Sequence, residues 1–291
     1  MSGDAVTTTI DGGSGQLEPS AKHSNESSAP VDVAGLVGPS KGDRLVQIAG
    51  VLSPVMIVLL WELFSRIGVL DARFFPPPSS ITGEFWDLLK SGSLIEDSWA
   101  TLRRIVIGMV IGGVPAIALG LVLGVWKRGR QVITPIFTAL YPVPKIAIFP
   151  LMLLIFGFGE ASKYAIVAIV VFFFIFFNTL TGVLQVPKIY LDVARNANAS
   201  RLQLFRTVAL PGALPGIFTG VRLSVGVAFV VMAAVEFVGA QNGLGFLIWS
   251  AWQTFAVDSM YVGLVVISVL GYLCLVVVDL VEKFTAPWAD R

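Results

Sequence analysis

Charge is what this chain has least of. Only 13% of its 291 residues are Asp, Glu, Lys or Arg, about half the ~25% of a soluble globular domain. That leaves too little charge to clothe a water-facing surface. A water-soluble enzyme is therefore excluded and an integral membrane protein indicated. Histidine occurs once, at His23, and cysteine once, at Cys274. A single cysteine closes no intramolecular disulfide, and neither residue has the neighbours of a zinc site, so no metal is expected. The formal net charge of +1 offers no basic surface to nucleic acid. The chain holds no Gly-x-x-x-x-Gly-Lys-[Ser/Thr] run and not even a Gly-Lys pair, so it has no P-loop to cradle ATP. No nucleophile–base set stands in the apolar runs, and no catalytic residue is expected.

What is present is apolar: 55% hydrophobic residues and a mean hydropathy of +0.82. Residues 1–44 stand apart. They are rich in Gly, Ser, Thr, Asp and Pro and show no apolar period, which predicts a disordered tail. They lack the basic start of a signal peptide. The domain proper is expected over 45–291. A helix crossing the ~30 Å hydrocarbon layer needs ~20 apolar residues. Six runs meet this: Leu45 to about Ile67, Ile105 to Trp126, 131–156, Tyr164 to Pro187, 212–238, and Ser259 to Val278. The third is broken by Pro135, Pro142, Pro144 and Pro150 and interrupted by Lys145. The stretch 243–257 is apolar but short, and reads as a re-entrant helix entered through Gly243 and Gly245. The fold predicted is all-α and polytopic, with six transmembrane helices. With the N-terminus inside, inner segments hold twelve Lys and Arg and outer ones six, placing both termini in the cytoplasm. Phe75-Pro76-Pro77-Pro78 then falls in an outer loop, followed by a short amphipathic helix over 81–90.

Charge inside lipid requires a reason. Lys145 has two readings: it faces a passage and favours an anion, or it snorkels or pairs with a carboxylate such as Glu236. Arg222 reads as snorkelling, Asp279 and Glu282 as interface charge. Glu236 is a gate residue or an interfacial cap. Gly108, Gly112, Gly120 and Gly124, and Gly212, Gly216 and Gly220, put small residues on one helix face each. Close packing is the reason, within the bundle rather than at a dimer seam. Phe172–Phe177 reads as lipid-facing and core bulk.

The longest inner loop, 187–211, reads as two short helices. Asn198 ends the first, because Asn tolerates the left-handed C-cap conformation. Ser200 and Gln203 form a capping box for the second. Leu202, Phe205 and Val208 give that helix an apolar stripe, and Pro211 stops it. Such a pair either packs under its own bundle or docks into a soluble partner.

Asp192-Val193-Ala194, Asn198 and Val208-Ala209-Leu210-Pro211 resemble the loop signature of permease subunits of binding-protein-dependent ABC importers. That signature is roughly Glu-Ala-Ala, three residues, Gly, then an Ile/Val-x-Leu-Pro ending. Here Asp replaces Glu, Val replaces Ala and Asn replaces Gly. Leu140-Tyr-Pro-Val-Pro-Lys145, Phe156-Gly-Phe-Gly-Glu160 and Ala234-Val-Glu236 with Gly243-Leu-Gly245 are similar to the subfamily for aliphatic sulfonates, taurine and nitrate. The resemblance covers about 70–285. It implies a subunit of an ATP-driven importer in a bacterial inner membrane, moving a small anion such as a sulfonate, nitrate or bicarbonate. The implied partners are ABC ATPase subunits that carry ATP and magnesium, an external solute-binding protein, and a second permease copy, most simply a homodimer. The chain itself would hold no cofactor. Residues Asp192, Ala194, Asn198, Ala199, Ser200, Arg201, Leu202, Phe205, Leu210 and Pro211 would form the ATPase-coupling loop, with Leu202 and Phe205 as apolar anchors and Arg201 at the rim. Lys145 and Glu236 are the pathway or gate candidates. A stand-alone transporter driven by an ion gradient is the alternative. A membrane enzyme or assembly factor is a third reading, which the loop does not favour.

Overall fold

A computed structural model describes residues 41–288, with side chains from Leu52 onward except Arg195 and Arg201. The expected tail lies outside the described residues, apart from its last four, which begin the first helix. Among the described residues every regular element is helical. The order is α1 (Lys41–Arg66), α2 (Pro78–Ser91), α3 (Ser93–Val125), α4 (Lys127–Leu140), α5 (Phe149–Phe156), α6 (Glu160–Gln185), α7 (Lys188–Asn196), α8 (Arg201–Leu204), α9 (Leu210–Gly239), α10 (Leu244–Gln253) and α11 (Val257–Thr285). Four helices are long and apolar enough to cross a membrane: α3, α6, α9 with the turn before it, and α11. Helix α4 and the Lys145–Phe156 segment, bent by 83°, make a fifth if they form one span. Of the four prolines expected to break the third run, Pro142 and Pro144 stand at the break, while Pro135 lies inside α4 and Pro150 in the first turn of α5. The first expected span is α1, whose side chains up to Val51 lie outside the described residues.

Helix α6 is the centre. It packs against α3 on one side and α9 on the other, and the glycine stripes are the reason it can. A Cβ at Gly112 would collide with the Ala168 carbonyl, and one at Gly216 would lie 2.8 Å from the Gly182 Cα. Gly108, Gly120 and Gly124 meet Val167, Thr179 and Val183 of α6. Both stripes therefore serve packing inside the bundle, as expected. Without a hydrophobic drive between helices in lipid, such backbone approach is what holds them. Between the glycines the core is filled by Val167, Val171, Phe176, Ala228 and Met232.

The phenylalanine block has a more specific use than bulk. Phe176 is fully buried and Phe173 nearly so. Phe137 of α4 stacks its ring 4.9 Å from Phe176 and 5.4 Å from Phe172. Tyr141 stands edge-on to Phe177 at 5.3 Å. The block is the seat on which α4 rests before the bend. Helix α11 is the contrast: apart from Val262 and Gly263 it buries no residue fully, leaving an apolar face that the described residues do not cover. The second half of α1 leans on α11 through Trp61 and Tyr261, 5.4 Å apart, and Glu62 accepts the Ser79 amide at the start of α2 at 3.0 Å.

Candidate functional site

Three places hold the residues singled out above. The first is the α7–α9 loop. Asn198 has φ +55°, the left-handed region predicted for it. The Ala199 amide reaches back to the Ala194 carbonyl at 3.0 Å, the long bond of a Schellman turn. This explains why Asn can stand where the family signature has Gly. The capping box is formed in both directions: Ser200 N–H donates to Gln203 Oε1 at 2.8 Å, and Gln203 N–H to Ser200 Oγ at 3.3 Å. These two devices turn α8 out of α7 and present Leu202, 58% exposed. Phe205 does not join it. It packs under the bundle against the cluster of Leu121, Val183, Ala213 and Ile217. The apolar stripe is thus divided, with Phe205 belonging to the bundle and Leu202 left free.

Pro211 does not stop the helix. A π-turn over Phe205–Ala209 joins α8 to α9, with Pro211 in the first turn of α9. Proline lacks an amide proton and its ring crowds the carbonyl four residues back. The wider turn absorbs both defects, so the chain bends and continues. Leu210 opens α9, and Asp192 lies on α7.

The second place is the bend after α4. Lys145 Nζ donates to the Tyr141 carbonyl and lies 4.7 Å from the ring centres of Tyr141 and Phe173. Among the described residues it forms no ion pair. The pairing with Glu236 considered from sequence is absent, because Glu236 is engaged elsewhere.

The third place, at the α10 end of the bundle, is where Glu236 goes. It lies inside the bundle, not at an interface. Its side chain is fully buried and bound by Arg104 Nη1 at 2.8 Å. Arg104, 1% exposed, uses all five of its N–H groups. Nε and Nη2 grip Glu160 as a fork at 2.8 and 2.7 Å. Nη2 also donates to Asn242 Oδ1 at 2.6 Å and Nη1 to the Asn242 carbonyl at 2.8 Å. Lys163 reaches Glu160 at 3.1 Å, and Arg103 stands 3.8 Å away. The same cluster caps α10, whose own residues supply no side-chain cap. The amides of Gly243, Leu244 and Gly245 donate to Asp97 at 2.6 Å, Thr101 at 2.8 Å and Glu236 at 2.8 Å. Helix amides left open in lipid are costly, and here helices α3 and α9 close them. Gly243 has φ +115° and sits so near Glu236 Oε1 that a Cβ would stand 2.5 Å from it. Buried charge is tolerated because every partner is met.

Arg222 is likewise paired, not snorkelling. It binds Asp279 and Glu282 of α11, each at 2.6 Å, clamping α9 to α11. Sequence reasoning missed the role of Arg104, which entered only as one of the six cations assigned to outer segments. A signal was available: Asp97, Thr101, Arg104, Gly108 and Gly112 recur at helical spacing, a polar stripe that runs into a glycine stripe. Among the described residues no group of three or more His, Cys, Asp and Glu could hold a metal ion.

Residues 116–290 match the family described as "Binding-protein-dependent transport system inner membrane component". A Bacillus subtilis (strain 168) protein named as an aliphatic sulfonates transport permease is 32% identical over 241 residues, covering 83% of this chain and 87% of its own length. The taurine transport system permease of Escherichia coli (strain K12) is 29% identical, over 80% of this chain and 86% of its own. In structure, the inward-facing MetNI methionine ABC transporter aligns with a TM-score of 0.59 at 20% identity, covering 67% of this chain and 97% of the compared one. The last likeness concerns the fold alone.

Proposed function

This chain belongs to the family of binding-protein-dependent transport system inner membrane components, and from that premise we propose that it is the membrane subunit of an ATP-driven importer for a small sulfonate-type anion. The sulfonate and taurine relatives support the solute class. In this reading the chain has six spans, α1 among them, both termini face the cytoplasm of a bacterial cell, and the α10 end faces outward. A second copy covers the bare face of α11 or of the bent pair. An external binding protein delivers solute, and separate ATPase subunits bind ATP and magnesium. Lys145, a cation with no carboxylate partner among the described residues, faces the passage and attracts the anion.

The observation that carries the reading is the loop. The left-handed Asn198 turn and the Ser200–Gln203 box hold α8 away from α7 with Leu202 exposed at its start. An exposed leucine on a rigid turn is the anchor a soluble partner needs. An ion-driven transporter favours acidic or histidine residues in mid-span. Glu236 is bound by Arg104, and Asp279 and Glu282 by Arg222.

The test is co-purification from a host that expresses the chain with its ATPase. The intact chain is expected to retain the ATPase and hydrolyse ATP, and Leu202→Asp to lose about tenfold in ATPase recovery while remaining folded. Purification of the intact chain without any ATPase, with solute still moving down an ion gradient, would overturn the reading.

A further inference from the structure

Resting on the importer reading, we propose that the C-terminal segment Ala286–Trp288 is a strut that positions the α7–α8 loop against the bundle. Three observations converge on it. The end of α11 is fixed to α9 by the Arg222 clamp on Asp279 and Glu282. The chain then leaves the helix through Ala286, which is 1% exposed and donates its amide to the Glu282 carbonyl at 2.7 Å. The following turn brings Trp288 to a cleft of ≈ 570 Å³. Tyr190 and Val193 of α7 form one wall of that cleft, Val208 of the π-turn and Pro211 of α9 another. Trp288 is the one lining residue that comes from beyond α9.

The loop needs such a support. Ile189, Tyr190 and Val193 of α7 are exposed, and no described residue of α7 is buried. Among its described residues only Leu191 and Ala194 are partly buried, so its apolar seat on the bundle is shallow. On its far side the π-turn is a widened, compliant link of the kind that concentrates at functional positions. A tryptophan brings a large rigid apolar face at small entropic cost. Trp288 is 48% exposed and stands at the edge of the cleft that α7 and the π-turn line; closing onto them, it would tie the loop to α11, and through Arg222 to α9. A push delivered to α8 then reaches the spans instead of being lost in rotation of α7. Trp288 is accordingly a positioning residue.

The experiment compares the full chain with its ATPase, wild type against Trp288→Ala and Trp288→Phe, by amide hydrogen exchange and by ATP hydrolysis per recovered ATPase. In Trp288→Ala the amides of 188–197 are expected to exchange about tenfold faster, while those of α3 and α6 stay unchanged. Hydrolysis is expected to change about threefold or more with ATPase recovery intact, and Trp288→Phe to restore most of both. Faster exchange throughout the bundle would mean general destabilisation and would overturn the proposal. Unchanged exchange in α7 would do the same, leaving Trp288 a lipid-interface anchor. Failure of the importer reading is distinct: no ATPase would be recovered even with wild type, whatever the exchange of α7.

Discussion

Arg104 and Lys145 are both cations set in apolar helices, and the structure treats them oppositely. Arg104 stands in the block of α3, α6, α9 and α10, where each of its five N–H groups meets an oxygen. Lys145 stands at the bend after α4, with one carbonyl and two ring faces around it and no carboxylate paired to it among the described residues. The first cation holds helices together and has nothing left to offer a solute. The second has capacity to spare. On the importer reading proposed above, the saturation of a charged group, more than its depth, separates a structural cation from a candidate for meeting solute.

The sharpest way to break this contrast is to remove the saturated cation. Arg104→Met leaves Glu236 buried without its charge partner, an expected loss of about 3–5 kcal/mol. Thermal unfolding in detergent would show it as a large fall in midpoint or as failure to recover folded protein. Adding Glu236→Gln should return part of the loss, because the uncompensated charge is then gone. Next in size is a change in the packing of the same block. Gly216→Val pushes side-chain atoms against Gly182 and Asn178, with an expected cost of about 1–3 kcal/mol, read from the same melt.

Outside the block the effects should shrink. Asn198→Val forces a β-branched residue into the left-handed region at about 1–2 kcal/mol. The cost should fall on the loop, as faster proteolysis between α7 and α8, with the bundle midpoint unmoved. Asn198→Gly should leave the turn intact. Smallest is Lys145→Met, which gives up cation–π contacts of about 0.5–1 kcal/mol. It should leave the melt almost unchanged while altering anion uptake in proteoliposomes. If Lys145→Met unfolded the protein as Arg104→Met does, the two cations would share a role and the contrast would fail.

The parts readable in advance are local ones. The Asn198 turn and the Ser200–Gln203 box are made by residues within six positions of one another, so side-chain chemistry alone predicts them. The glycine stripes are as direct, since spacing sets which face is small, and in the third run the Pro142–Pro144 pair marks the break while Pro135 and Pro150 stay in helix. The division of Leu202 from Phe205 was not readable. A spacing of three puts both on one side of a helix, but the π-turn that begins at Phe205 rotates the rest inward toward Leu121 and Ile217. The continuation through Pro211 has the same origin. Arg104 and Arg222 had their partners 56 to 138 residues away, beyond any local pattern.

The sequence by itself determined that this is an all-helical membrane protein and where its long apolar runs lie. Composition and short-range backbone chemistry suffice for each of these. Only the tertiary structure decided what becomes of the charges inside the spans. A buried ion pair depends on two helices meeting in one register and rotation, and that register is set by backbone contact at Gly112, Gly182 and Gly216 across three helices at once. Asp97, Thr101 and Glu236 became caps for α10, and Lys145 has no carboxylate partner among the described residues, by that packing and by nothing in their own neighbourhoods.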